Sequence, residues 1–173
     1  MTASIHLTNE TRDPIDATLH YRLLTLKGEM LDEHQVKVTL DPVKAMKCVG
    51  MNYKIYKVMK KNMILHAKLM DHQGQLIAEN TATFVQDKDL ILEKADHKLT
   101  WSKVNNQVTL KIESPVVKRF VELKYQDHLF SDNYFHLLPH EPKIVTFEST
   151  NSLKHIKDTI AIRSLVDTYP EGV

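Results

Sequence analysis

Apolar residues at every second position, in short runs separated by turn formers, constrain this chain more than anything else in it. Ile15, Ala17, Leu19, Tyr21 and Leu23 alternate with Asp16, Thr18, His20 and Arg22. A period of two puts one face of an extended strand into a core and leaves the other in solvent. Ser4-Ile5-His6-Leu7 already reads as a strand, and Val36, Val38 and Leu40 alternate again after the Lys27-Gly28-Glu29 turn. Met63, Leu65, Ala67 and Leu69 form another strand, Asp71-His72-Gln73-Gly74 turns the chain, and Leu76 to Phe84 continues it. Strands at such short spacing, with turn signals between them, predict a sandwich. One segment competes. Ile55, Val58, Met59 and Met63 sit at helical spacing behind a capping Asn52, which predicts a short helical connection against the strand alternation of Met51, Tyr53 and Ile55.

After the charged join Asp87-Lys88-Asp89-Leu90-Ile91-Leu92-Glu93 the pattern restarts. Leu99-Thr100-Trp101-Ser102 reads as a strand, and Asn105-Asn106 supplies a hairpin turn. Val108, Leu110 and Ile112 alternate, as do Val121, Leu123 and Tyr125, and Lys143–Phe147 and Thr159–Ser164 read as further strands. The prediction is therefore an all-β chain of two tandem sandwiches, residues 1–87 and 88–173. Between two strands of the second lies the stretch Phe130 to Pro142, where aromatics and leucines sit among turn formers. Asp132 and Asn133 can bond nearby backbone and fix a bend, while Pro139 and Pro142 preset φ and withhold ladder donors. Phe130, Tyr134, Phe135 and Leu138 are then expected to pin an ordered corner to the core.

The 23 basic and 22 acidic residues are well mixed and leave a net charge of +1. That balance gives no electrostatic reason to expect nucleic acid or an anionic membrane as partner. No apolar run reaches the length of a membrane span. Cys48 is the lone cysteine, so no disulfide framework is expected, and it reads as a small buried hydrophobe rather than a nucleophile. No secretory signal precedes Met1, and strand begins at once, so the chain is expected to be an excised piece of something larger.

Three motifs carry a resemblance. Phe130, Ser131, Asp132, Asn133, Phe135, Leu137, Leu138, Pro139, Glu141 and Pro142 fit the "FSDNxFxLLPGEPK" segment of β-mannosidases in glycoside hydrolase family two. His136 stands where that pattern has Asp, and His140 where it has a turn Gly, which accepts positive φ more easily than histidine does. Lys88-Asp89-Leu90-Ile91-Leu92 is similar to the family's "KDLxL" link, and Ser164-Leu165-Val166-Asp167-Thr168-Tyr169 resembles its "SLYDTY" tail. Asn9 and Thr11, with the Asp71–Gly74 turn, match the first half in layout. The resemblance implies immunoglobulin-like β-sandwiches corresponding to the family's fourth and fifth domains. It further implies a parent that removes terminal β-mannose with retention, and a structural partner in that parent's catalytic barrel. It places a bacterial parent in the periplasm or outside the cell.

Retaining hydrolysis needs two carboxylates about 5–5.5 Å apart, and in the family these sit on the barrel. No catalytic residue is therefore expected here; Asp132 and Glu141 read as a turn former and a loop acid. The ten histidines show no metal-ligand spacing: Pro139 interrupts His136 and His140, and His66 and His72 have no acid or cysteine partner at zinc spacing. No metal and no cofactor is expected. Trp101 and Tyr134, if exposed, could stack on a pyranose, which keeps a free-standing carbohydrate-binding module in play; an immunoglobulin-type interaction module is the other alternative. β-Mannoside glycans would otherwise be met only through the parent.

Overall fold

Alternation becomes architecture through the ladder registers. The computed structural model describes residues 2–53 and 58–169. They divide into two units: residues up to Thr25 with Glu29–Ile91, and Leu26–Gly28 with Leu92 onward.

In the first unit, β1 (Thr2–Asn9), β2 (Ile15–Thr25), β3 (Met30–Leu40), β4 (Lys44–Asn52), β5 (Met63–Met70) and β6 (Leu76–Thr83) follow one another. They form a four-stranded sheet in the order β3-β2-β5-β6 and a two-stranded sheet β1-β4. Leu19 lies opposite Val36 on one side and Leu69 on the other, and Leu23 lies opposite Leu65, so the apolar set of β2 shares one face with its neighbours. That face meets Ile5 and Met51 from the facing sheet in one core. Each fully buried leucine there contributes about 1.5–3 kcal/mol. The opening motif residues Asn9 and Thr11 hold the β1–β2 corner. Asn9 is buried, its amide donates to Asp13 O and Leu40 O, and its Oδ1 accepts from Thr11 N–H and Oγ1. Asp71 likewise accepts from the backbone N–H groups of Gln73 and Gln75, and Gly74 takes φ 77°.

The helical connection expected after Asn52 is found in part among the described residues. Met51 and Asn52 end β4, where Asn52 pairs with Thr2 and Ala3 with Met51. Met63 begins β5, and among the described residues of the connection Met59–Asn62 forms a 3₁₀ turn, whose first flanking residue is Val58 with no side-chain cap. Ile55 lies outside the described residues. Asn52 is not the helix cap the sequence suggested, because ladder partners hold it and Met51 extended.

The second unit has β7 (Lys98–Val104), β8 (Gln107–Glu113), β9 (Lys118–Lys124), β10 (Phe135–Leu137), β11 (Lys143–Glu148), helix α1 (Leu153–Thr159) and β12 (Ala161–Arg163). Its sheets run β11-β8-β7 and β10-β9-β12. Leu110, Ile112 and Val145 of one sheet meet Val121, Leu123, Phe135 and Leu137 of the other. Ile156 of α1, fully buried, closes a second cluster with Val108, Tyr125 and Phe147. Ser152 caps α1, its Oγ accepting from His155 N–H at 3.2 Å. The strand expected over Thr159–Ser164 is correspondingly shorter, because Thr159 ends the helix. The tail motif is a fastener: Asp167 Oδ2 accepts from both Ser164 N–H and Ser164 Oγ at 2.7 Å, over a 3₁₀ turn that buries Val166.

Candidate functional site

The stretch Phe130–Pro142 connects β9 to β11 and contributes β10. Its position is set chiefly by Asn133. The amide Oδ1 accepts from Leu123 N–H at 2.8 Å and Nδ2 donates to Leu123 O at 2.9 Å. One side chain thus makes both bonds that a paired strand residue would make, at the point where β10 has not yet begun. Ser131 ties the stretch to β11: its N–H donates to Thr146 O, and its Oγ accepts from Thr146 N–H.

Asp132 does something other than bonding the loop backbone, as the sequence suggested. Its carboxylate pairs with Lys143 Nζ at 2.5 Å, with both side chains more than a third exposed. A surface pair of that kind contributes little to stability.

β10 pairs with β9 through a bulge. Phe135 faces Val121 and Leu137 faces Lys118, so Arg119 and Phe120 together oppose His136. Phe120 takes φ 51° to allow this, and its N–H donates to His136 Nδ1 at 3.1 Å. An aspartate, the residue of the family pattern at position 136, shares the capacity to accept that bond. Arg119 lies over the Phe120 ring, 4.9 Å from its centroid, and His136 meets the same ring edge-on.

Phe135, Leu138 and Pro139 are buried. Phe135 sits in the core with Leu110, Val121, Leu123 and Val145. A Cβ added to Gly28, which holds φ 93°, would stand 2.6 Å from Pro139 Cβ, so the proline ring occupies the space that a side chain there would need. Phe130 is half-buried, its ring tilted against that of Phe147 with centroids 4.9 Å apart.

The two rings considered for sugar contact part company. Trp101 is half-buried and packs against both core clusters. Tyr134 is 59% exposed at φ 58°. Its hydroxyl donates to Glu122 Oε1 at 3.0 Å, and Arg163 donates to Glu122 Oε2 at 2.8 Å. The Tyr134 hydroxyl, followed by the Arg163 guanidinium, holds the Glu122 carboxyl below the usual carboxylate range. Glu122 and Arg163 were invisible as a pair in the sequence, 41 residues apart; they face each other because β12 pairs with β9.

His140 occupies φ 63°, the left-handed conformation that the family's glycine adopts freely. His140→Gly is expected to stabilise the second unit by about 1 kcal/mol, the approximate cost of left-handed backbone for an L-residue. Urea unfolding followed by the fluorescence of Trp101 reads this directly; an unchanged or lowered midpoint would contradict it.

His66 makes a contact that its neighbours along the chain do not show. It does have an acidic partner, Glu79, whose Oε1 lies 2.7 Å from Nε2 across the β5–β6 ladder. Arg22 Nε donates to Nδ1 at 3.1 Å, which leaves the ring proton on Nε2 facing Glu79. Burial, with Arg22 and Lys68 nearby, pushes the His66 pKa down, against the pull of Glu79. Spacing along the chain does not show such a diagonal cross-strand pair. Cys48 is half-buried, and burial pushes its thiol up, away from nucleophilic thiolate.

A family model described as a mannosidase Ig/CBM-like domain matches residues 1–89, just over half the chain. The chain belongs to that family. A second model, described as an Ig-fold domain, matches residues 92–168. Both units are therefore immunoglobulin-like sandwiches. No curated protein sequence matches the chain. Among solved structures it is similar to the β-D-mannosidase of Dictyoglomus thermophilum, with a TM-score of 0.81 at 18% identity over 95% of this chain and 20% of that one. It is also similar to the exo-chitosanase CsxA of Amycolatopsis orientalis, with a TM-score of 0.64 at 12% identity over 93% of this chain and 24% of that one. Likeness at such identity speaks to fold. The chain spans about a fifth to a quarter of the length of these two enzymes.

Proposed function

We propose that this chain is the accessory part of a longer glycoside hydrolase of the β-mannosidase type, and that it has no catalytic role of its own. Residues 1–87 correspond to the fourth domain and 88–173 to the fifth. The observation that carries the reading is the tandem order of the two family matches, over 1–89 and 92–168, within a chain that superposes along 95% of its length on part of a β-D-mannosidase. The corner and tail motifs support it from the residues. Asn133, Ser131, Ser164 and Asp167 all spend their side chains on the backbone or on one another. Groups bound in this way fasten a fold and are not poised for proton transfer.

In this reading the parent carries a catalytic barrel that hydrolyses terminal β-mannosides with retention, through a carboxylate pair about 5–5.5 Å apart. The sandwiches brace that barrel, and substrate is met through it. A bacterial parent would work in the periplasm or outside the cell. Of the two rings, only Tyr134 presents enough surface for a direct glycan contact. The test is turnover of an aryl β-mannoside by the purified chain at high concentration. No hydrolysis above the uncatalysed rate is expected. Activity that survives repurification and is lost on substituting a single acid of this chain would overturn the non-catalytic role.

A further inference from the structure

The first sandwich has sheets of unequal width. Four strands offer an inner face, and among the described residues β1 and β4 alone lie across it as strands. β1 pairs with β4 along one edge; along the other, among the described residues, it has no partner. A cavity of about 500 Å³ separates that open edge from β6. It is lined by consecutive residues of β1, Ser4–Thr8, and of β6, Ile77–Ala82, with Leu19, Leu65 and Leu69 beneath, and no residue of β4 reaches it. Consecutive lining means that a backbone edge, and not one face of a strand, bounds the slot, because alternate side chains of a strand point opposite ways. Ile77 is 43% exposed and Leu76 51%.

The slot makes two demands on an occupant. The backbone N–H and C=O groups of the open edge require hydrogen-bond partners in a row. The aliphatic floor requires apolar side chains. A helix cannot pair with the edge, and a small apolar ligand leaves it unpaired. An extended strand with an apolar residue at every second position meets both demands at once. We propose that the slot seats one further β-strand, laid along the open edge of β1 and supplied by the longer polypeptide of which this chain is part. The β-D-mannosidase and exo-chitosanase chains, four to five times as long, leave ample polypeptide from which such a strand could come. The source of the strand rests on the function proposed above, but the slot itself does not.

The test uses the purified chain and a synthetic peptide of about nine residues alternating valine and threonine, long enough to run past the five slot-lining residues of β1 at ~3.3 Å per residue. Two control peptides have the same composition with the valines grouped at one end, or a central proline. The expected result is a saturable shift of the amide resonances of Ser4–Thr8 and Ile77–Ala82 and at least about tenfold slower exchange of the β1 amides that point away from β4. Each control should bind at least about tenfold more weakly. Ile77→Lys, at an exposed position, should keep the thermal midpoint and weaken binding by a similar factor. Four results would overturn the proposal: no shift up to the solubility limit, equal binding of all three peptides, protection in the free monomer of the β1 amides that point away from β4, or a concentration-dependent dimer that excludes the peptide. The last would assign the edge to a second copy of this chain. Because the readout needs neither a barrel nor a substrate, failure here leaves the glycosidase reading standing, and failure of that reading leaves the slot.

Discussion

Phe135→Ala is expected to destabilise the second sandwich by about 3–5 kcal/mol, the range for removing a buried aromatic from a core that cannot collapse around the gap. The ring is 7% exposed and lies where the two sheets meet, among Leu110, Ile112, Val121, Leu123 and Val145. Strands fix those neighbours on both sides, so little relaxation is available. Its backbone position also matters, since Phe135 is paired with Val121 just beyond the β9 bulge. Trp101 is the only tryptophan, and it packs against the same cluster. Urea unfolding followed by its fluorescence therefore reports this unit. The loss should appear with no sugar present. If the corner served to bind glycan instead, the midpoint would stay at the wild-type value while binding of mannobiose was lost.

Asn133→Ala is the second large effect, about 1–3 kcal/mol through donors and acceptors left unpaired. It would orphan the N–H and the carbonyl of Leu123, a residue itself 2% exposed. Asn133→Asp separates the two bonds. A carboxylate keeps an acceptor for Leu123 N–H but sets negative charge against Leu123 O, so that variant should also be destabilised and should recover in part at acid pH. Asp132→Ala, by contrast, removes only an exposed ion pair and should move the midpoint little. Equal losses at 132 and 133 would mean that the corner is held differently from the bonds described.

The contrast between those neighbours marks how far the fold could be read from residues. Both looked like turn formers that bond local backbone, yet only Asn133 reaches β9, and no local rule distinguishes a bond to a residue ten positions away from one to the next turn. β2 was legible because its buried side carries an unbroken aliphatic and aromatic series. β4 was not, because Met51 is its one buried residue and Lys44–Lys47 lie exposed; an edge-like strand gives hardly any alternation to detect. Helix α1 announced itself only by Ser152 at its start, over seven residues, too short for a period to show. The bulge at Phe120, the pair Glu122–Arg163 and the pair His66–Glu79 all depend on ladder register, which exists only once strands have found partners. His140 is the opposite case. A histidine in a glycine's place points to positive φ from the sequence alone, and that is the backbone it adopts.

The central claim, that these residues serve a larger glycosidase, is tested most directly by the mass of the native polypeptide that contains them, taken from the source cells and mapped by peptides spanning both sandwiches. A single polypeptide several times the 20.0 kDa of this chain is expected, co-purifying with hydrolysis of an aryl β-mannoside. A native polypeptide of 20.0 kDa, or a longer one with no β-glycosidase activity, would contradict the account.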